Sequence, residues 1–299
     1  MITILGPTAT GKTGFATFVA SQINGEIISA DSRQVYRGMD IGTGKDLSEY
    51  KANGVDIPYH LIDIVDPGYE YNVFEFQKDF LKAYQDIDGR GKFPILCGGT
   101  GMYIESVLKG YRLIDVPNND DLRESLELKS DLELEDILSG FKTLHNTTDI
   151  SDRDRLIRAI EIQTYYDAHP DLDVSFPKID TLIIGIDFDR RVVRSRITER
   201  LEQRLEEGMV EEVKGLLEQG VTSDQLKFYG LEYRFITQYI HDEISYNEMF
   251  RRLNTAIHQF AKRQMTWFRR MEKQGFEIHW LDGNLSHEEK MIQLIQLMK

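Results

Sequence analysis

The chain has 299 residues, 41% hydrophobic and 29% charged, enough apolar content for a sizeable core, which excludes whole-chain disorder. Its 50 Asp and Glu against 36 Lys and Arg give a net charge of −14, which argues against nucleic-acid binding by a global field and leaves local patches open. A single cysteine, Cys97, excludes an internal disulfide and a cysteine-cluster zinc site; no apolar run nears the roughly 20 residues of a bilayer span, and residues 1–5 carry no basic flank, so neither membrane span nor signal peptide is expected and a cytoplasmic protein is.

In chain order, residues 2–5 read as a buried strand and 12–23 as a helix with Ala16, Val19, Ala20 and Ile23 on one stripe. Strands are expected at 26–29, 59–65 and 93–97, with a helix over 74–84. This alternation argues for an α/β fold, a parallel sheet with helices on both faces. The pattern breaks near Pro117. Residues 120–167 read as helical and strand-free, with turn signals at Ser139-Gly140 and 145–149. A strand returns at 181–186, helices follow over 190–208 and 210–217, a long helix over 246–274 and a last strand at 277–281. The expected organisation is a discontinuous core, 1–117 with 178–299, interrupted by an all-helical insertion domain at 118–177.

Gly6-Pro7-Thr8-Ala9-Thr10-Gly11-Lys12-Thr13 fits G-x-x-x-x-G-K-[ST], with a strand before it and a helix after. The glycines let successive N–H groups face an anion, and the helix N-terminus adds partial positive charge. Lys12 adds a point charge, and the Thr13 hydroxyl is placed to ligate Mg²⁺. The loop does not say whose phosphates it holds. An NTPase wants a strand ending in a carboxylate, but 94–97 ends in Gly98-Gly99-Thr100-Gly101, leaving Asp63 as a weak substitute. Asp31, just after the second strand, stands out. The phosphate loop, Asp31 and Thr100 all lie at strand C-terminal ends, where open parallel sheets bind ligands. A turn carboxylate at Asp31 and a helix cap at Thr100 are the structural alternatives.

These residues resemble the bacterial tRNA dimethylallyltransferases. The resemblance rests on the loop 6–13, Ile28-Ser29-Ala30-Asp31-Ser32-Arg33-Gln34-Val35-Tyr36, Met39-Asp40-Ile41-Gly42-Thr43-Gly44-Lys45 and Gly98-Gly99-Thr100-Gly101-Met102-Tyr103. Arg155-Leu156-Ile157-Arg158-Ala159-Ile160-Glu161, the Arg196…Arg200…Gly208-Met209 segment and Ala261-Lys262-Arg263-Gln264-Met265-Thr266-Trp267-Phe268-Arg269 extend it over essentially the whole chain. Two departures are visible. Gly230-Leu231-Glu232-Tyr233-Arg234 stands where the family usually has Gly-Tyr-Lys/Arg, and 149–154 is more acidic than the usual pattern.

The resemblance implies a P-loop kinase-like core and a reaction. A dimethylallyl group passes from dimethylallyl diphosphate to N6 of the adenosine 3′ of the anticodon, adenosine 37, in tRNAs reading codons that begin with U. It implies Asp31 as the carboxylate that orients the amine and takes its proton, with Thr100 beside it. It implies Arg196 and Arg200, one turn apart, as diphosphate contacts alongside Gly6 to Thr13. Asp31, Ser32, Arg33, Gln34, Thr100, Arg123, Asp154, Arg155, Leu156, Ile157 and Arg158 match segments that touch tRNA. Mg²⁺ is the implied cofactor, the tRNA anticodon stem-loop and the prenyl diphosphate are the partners, and the protein reads as a monomer.

On the long helix, Arg251, His258, Lys262 and Arg269 lie within about 20° of one line, with Arg252, Gln259, Arg263 and Arg270 on the neighbouring one. Leu253, Ile257, Phe260, Trp267 and Met271 are expected on the opposing apolar stripe. The two cationic rows, Lys262 and Arg263 foremost, predict a track for the phosphate backbone of RNA. The acidic segment 120–136 should face away from it. The competing readings are an adenylate isopentenyltransferase, which does not need the basic helix or the insertion, and a P-loop kinase or NTPase.

Overall fold

A computed structural model describes residues 1–52, 54–141, 153–171 and 175–298. It divides into two compact units, one of Met1–Tyr111 with Pro177–Lys299 and the other of Arg112–Phe176. In chain order the larger unit begins with β1 (Ile2–Leu5), α1 (Lys12–Ile23) and β2 (Gly25–Ser29). A 3₁₀ turn at Leu47–Tyr50 leads into the small hairpin β3 (Lys51–Ala52) and β4 (Val55–Asp56). Then come β5 (Tyr59–His60), α2 (Val73–Gly89), β6 (Phe93–Gly98) and α3 (Gly101–Leu108). The smaller unit supplies α4 (Asp120–Glu127), α5 (Asp131–Phe141) and α6 (Arg153–Ala168). The chain returns with β7 (Leu182–Asp187), α7 (Arg190–Glu206), α8 (Met209–Glu218), α9 (Ser223–Phe228), α10 (Leu231–Ile240), α11 (Tyr246–Lys273), β8 (Ile278–Asp282) and α12 (His287–Leu297).

Six strands form one sheet in the order β5-β2-β6-β1-β7-β8, and every pair is parallel. β1 and β2 are buried at every residue, as apolar runs covered on both faces must be. α1, α12 and the 3₁₀ turn cover one face, where Phe15, Val19, Ile27, Ile95, Ile184 and Leu294 form one cluster. α2, α3 and α11 cover the other with the buried rings and chains of Phe76, Phe80, Ile104 and Phe268. Each such side chain contributes about 1.5–3 kcal/mol when fully buried. β1 therefore runs through the middle of the sheet, and the loop leaving it emerges between β6 and β7.

Several expectations change. The strand expected at 59–65 stops at His60, because Leu61 and Asp63 take left-handed φ values of 62° and 55°; only Val65 bridges back to Tyr36. Helix α2 is capped by Asn72, whose side chain and Glu75 form a capping box, and runs to Gly89 rather than 84. Ser139 and Gly140 lie inside the last turn of α5, and the turn signal at 145–149 falls outside the described residues. The hairpin β3–β4 and helices α3, α9, α10 and α12 add to the expected elements.

In the smaller unit, Leu126, Leu134, Leu138, Leu156, Ile157 and Ile160 make the core. Beside it Glu161, 1% exposed at its side chain, accepts from Arg123, Arg158 and the Asn119 N–H. Burial alone would raise this carboxyl, but the hydrogen bonds from Arg123 and Arg158 outweigh it and hold it at about 2.

Candidate active site

The phosphate loop leaves β1 at Gly6, whose φ is +157°; a Cβ there would lie 2.6 Å from the Ile186 carbonyl oxygen of β7. Glycine alone lets the backbone cross so close to the next strand. The Thr10 hydroxyl donates to the Pro7 carbonyl at 2.9 Å, and Lys12 Nζ donates to the same oxygen at 2.7 Å. The ammonium is thus folded across the loop. Burial lowers its pKa to about 8, with Arg200 reinforcing the shift and Asp31 and Glu49 opposing it. Thr13 follows in the first turn of α1, whose N-cap, Gly11, takes a left-handed φ of 71°. Beneath the loop, burial pushes the Cys97 thiol up to about 12, so it stays protonated and inert.

Three arginines of α7, successive at i and i+4, reach toward this loop. Arg196 Nε donates to the Ala9 carbonyl at 2.8 Å, and its guanidinium lies 4.8 Å from the Phe188 ring. Arg200 points at the Thr8 hydroxyl, 3.5 Å away, and pairs with Asp46 at 3.0 Å. Arg204, nearly buried, pairs with the same carboxylate at 3.2 Å. Glu232 joins Thr8, Ala9, Arg200 and Arg204 around a cavity of about 20 Å³, room for one water. Burial raises its carboxyl, against the pull of Arg204 and Arg200. Arg204, Asp46 and Glu232 were not among the expected site residues. Extending the 196, 200 spacing by one turn reaches Arg204; nothing in the local pattern distinguished Asp46 or Glu232.

Asp31 follows β2 and is half-buried. Its Oδ1 accepts from the Arg33 N–H at 2.9 Å, so one oxygen serves a turn, and Oδ2 takes no hydrogen bond from the described residues. Thr100 is the N-cap residue of α3, yet its side chain does not cap. Its hydroxyl accepts from the Ser32 N–H at 3.1 Å and points at Ser32 Oγ at 3.4 Å. Backbone bonds from Ala30 N–H to Cys97 O (2.7 Å) and from Thr100 N–H to Ala30 O (3.2 Å) lace the ends of β2 and β6 together. Gln34 accepts from Ser29 Oγ and donates to Gly44 O. Asp63, the weak NTPase candidate, is committed to another partner: with Asp40 it pairs with Lys45, whose ammonium is fully buried and also donates to Tyr36 O.

Helix α11 ties loop and turn together through a residue the motif reading passed over. Gln264, 8% exposed, accepts from the Thr8 N–H at 2.9 Å and donates to the Gly99 carbonyl at 2.9 Å. Lys262 and Arg263, its neighbours, are exposed. The buried stripe of α11 is Met249, Leu253, Ile257, Ala261, Gln264, Phe268 and Met271, so Phe260, 38% exposed, and the half-buried Trp267 lie off it and Phe268 lies on it. Arg263 reaches back to 5.8 Å from the Phe260 ring. Arg270 leaves the cationic row, held by Glu105 at 2.5 Å and stacked 3.9 Å from the Trp267 ring.

The glycine loop of residues 6–13, the arginine row of α7, Asp31 and Thr100 therefore meet at one end of the sheet. The family profile described as IPP transferase matches residues 34–271, and that described as isopentenyl transferase matches 1–55. The chain belongs to the IPP transferase family. It is 60% identical to the tRNA dimethylallyltransferase 2 of Bacteroides fragilis over 299 residues, covering 100% of this chain and 98% of the relative. The solved tRNA delta(2)-isopentenylpyrophosphate transferase of Staphylococcus epidermidis is 34% identical, with a TM-score of 0.71 over 99% of this chain and 98% of that one. A eukaryotic dimethylallyltransferase, described as acting on tRNA, superposes with a TM-score of 0.78 at 25% identity, covering 95% and 73%.

The remaining residues expected of an IPP transferase from the sequence divide by exposure. In the smaller unit Leu156 and Ile157 are committed to the core. Arg123 and Arg158 are half-exposed at the Glu161 cluster, where Arg158 also donates to the Val116 carbonyl at 2.6 Å. Asp154 and Arg155 are exposed on α6. In the larger unit Arg33 stacks 5.3 Å from the ring of Phe228, which is 51% exposed. Gly230, at the head of the departing segment, takes a φ of +138° and starts α10, where the buried Tyr233 hydroxyl donates to Glu212 at 2.8 Å. No described helix is long and apolar enough to cross a membrane.

Proposed function

We propose that this enzyme transfers a dimethylallyl group from dimethylallyl diphosphate to N6 of adenosine 37 in tRNAs reading codons that begin with U. The products are N6-isopentenyladenosine and diphosphate. The observation that carries the reading is the convergence of the phosphate loop with Asp31 and Thr100 at one sheet end, bridged by Gln264. Full-length similarity to proteins named for dimethylallyl transfer to tRNA supports it.

The donor's diphosphate is taken by the loop N–H groups, Lys12, Arg196 and Arg200. The C1–O bond of the donor breaks with its electron pair leaving on the diphosphate, and the cations around the loop stabilise that growing charge. The N6 lone pair forms the new bond to C1. That nitrogen is a poor nucleophile, because its lone pair is spread into the ring. Asp31, through its unengaged oxygen, orients the amine and accepts the proton it loses. Thr100 fixes the Ser32 backbone and so the turn that carries Asp31. Thr13 is a hard oxygen donor suited to Mg²⁺, and its neighbourhood holds no cluster of three His, Cys, Asp or Glu among the described residues. A bound Mg²⁺ with Thr13 and diphosphate oxygens as ligands would neutralise the leaving group.

The base must leave its stack to reach Asp31. Ser32, Arg33 and Gln34 in the larger unit, and Asp154, Arg155, Arg123 and Arg158 in the smaller one, are the proposed tRNA contacts, with Lys262 and Arg263 on the stem phosphates. The enzyme works as a cytoplasmic monomer on this reading. Asp63, being bound to Lys45, speaks against the NTPase alternative. The test is transfer of labelled dimethylallyl diphosphate to unmodified tRNA by the wild type and by Asp31→Asn. Label should enter RNA, and Asp31→Asn should lower turnover by about 10²–10⁴-fold while diphosphate affinity holds. ATP consumption without label in RNA overturns the reading.

A further inference from the structure

The loop 40–47 does more than fill space between β2 and the hairpin. Lys45 turns inward and is clamped by Tyr36 O, Asp40 and Asp63, which fixes the backbone on either side. Asp46, the next residue, turns the opposite way. It is the N-cap residue of the 3₁₀ turn, but its side chain makes no cap hydrogen bond. The carboxylate is spent instead on Arg200 and Arg204. Gly44 makes room for this pairing: its φ is +70°, and a Cβ there would lie 2.3 Å from Arg204 Nη2 and 2.7 Å from Arg200 Nη2. One carboxylate thus faces two guanidiniums, both half-buried or deeper, beside Thr8 of the phosphate loop.

Resting on the diphosphate-donor reading above, we propose that Asp46 is a resident counter-ion of the Arg200–Arg204 pair, which an arriving diphosphate displaces and which re-forms as the diphosphate leaves. A single carboxylate balances only part of the pair's charge, so a multiply charged diphosphate competes successfully for the same donors. The pair is held extended and ordered before the donor arrives, which lowers the entropy cost of binding. Its re-formation opposes retention of the product. Asp46 is therefore a positioning residue acting through the two arginines, and it trades diphosphate affinity for release.

The experiment is calorimetric titration of inorganic diphosphate into the wild type, Asp46→Asn and Asp46→Glu, with Mg²⁺ and separately with EDTA, alongside thermal melting to confirm folding. Asp46→Asn should bind diphosphate about tenfold tighter in both conditions, a difference of about 1.4 kcal/mol. Asp46→Glu should stay near the wild type. Steady-state transfer should show the apparent KM for the prenyl donor falling in Asp46→Asn, with stronger inhibition by diphosphate. A purely structural loop residue does not raise affinity when altered. Unchanged or weaker binding by a folded Asp46→Asn in EDTA overturns the proposal, and weakening confined to Mg²⁺ assigns Asp46 to the metal instead. Asp46→Ser provides the same readout if the Asn variant does not fold. Wild-type protein that ignores diphosphate altogether overturns the donor reading itself, which separates the two failures.

Discussion

Helices α7 and α11 pack against each other, joined by the Thr198 hydroxyl reaching Asn254, and both are rich in arginine, yet they spend it in opposite directions. On α7, Arg196, Arg200 and Arg204 point inward to the phosphate loop and Asp46, each with a fixed partner. On α11, Lys262 and Arg263 are exposed on the outward face. Confined cations in a poorly solvated pocket suit a small, densely charged anion and a transition state. Exposed cations on a long straight helix suit a polymer whose charges are spread along its length. The net charge of −14 hides both, since each depends on local placement.

The largest effect expected from this division is at the inward site. Lys12→Ala should cut transfer by about 10²–10³-fold at saturating tRNA, as loss of one preorganised donor does. If salt between 50 and 200 mM changes that ratio strongly, the inward site is not the confined one described here. Next comes the outward site. Lys262→Glu with Arg263→Glu should raise the tRNA KM by about 10–30-fold and flatten its salt dependence, each lost phosphate contact removing about 0.7–0.9 from the log–log slope. Diphosphate affinity should hold; equal losses for both substrates would collapse the distinction between the helices.

A third prediction sharpens the join between them. Gln264→Leu leaves the part-buried Thr8 N–H and the buried Gly99 O without their partner and should lower stability by about 1–3 kcal/mol, read by chemical denaturation. The smallest effect concerns pH. Lys12 in the free protein titrates at about 8 rather than 10.5, so its burial burdens the fold below pH 8, and stability from this group rises as pH climbs from 8 to 10.5. On the proposed function diphosphate binding needs the ammonium and runs the other way. Affinity should fall as pH passes 8, with proton uptake on binding visible as a buffer-dependent enthalpy. Flat affinity between pH 7 and 9.5 would remove Lys12 from the anion site.

The sequence carried the sheet well because its strands are short apolar runs with no solvent face, and β1, β6 and β7 need no tertiary information to be recognised. It carried the strand–loop–helix unit β1–α1 because the glycine spacing of residues 6–13 falls between an apolar run and a helical stripe. Strand β5 was overestimated because Leu61 and Asp63 take a left-handed backbone that no periodicity reveals. Gln264 sat in plain view inside a motif, but its two hydrogen bonds join residues more than 160 positions away. Asp46 was invisible for the same reason, because an ion pair between a loop and a helix leaves no local trace, whereas Arg204 lies one helical turn beyond Arg200. On α11 the angular arithmetic put Lys262 and Arg263 on the exposed face but misassigned Arg270, which pairs with buried Glu105, and Phe260, whose ring is partly exposed near Arg263.

The seclusion of Cys97 has a practical consequence. The chain's lone sulfhydryl lies at the end of β6, 5% exposed and held protonated in its pocket. An alkylating reagent can reach it only when the sheet's end opens, so labelling rate becomes a one-channel clock for breathing at the very place where the proposed reaction is staged. Because the protein carries no second thiol to confuse the signal, that clock comes built in.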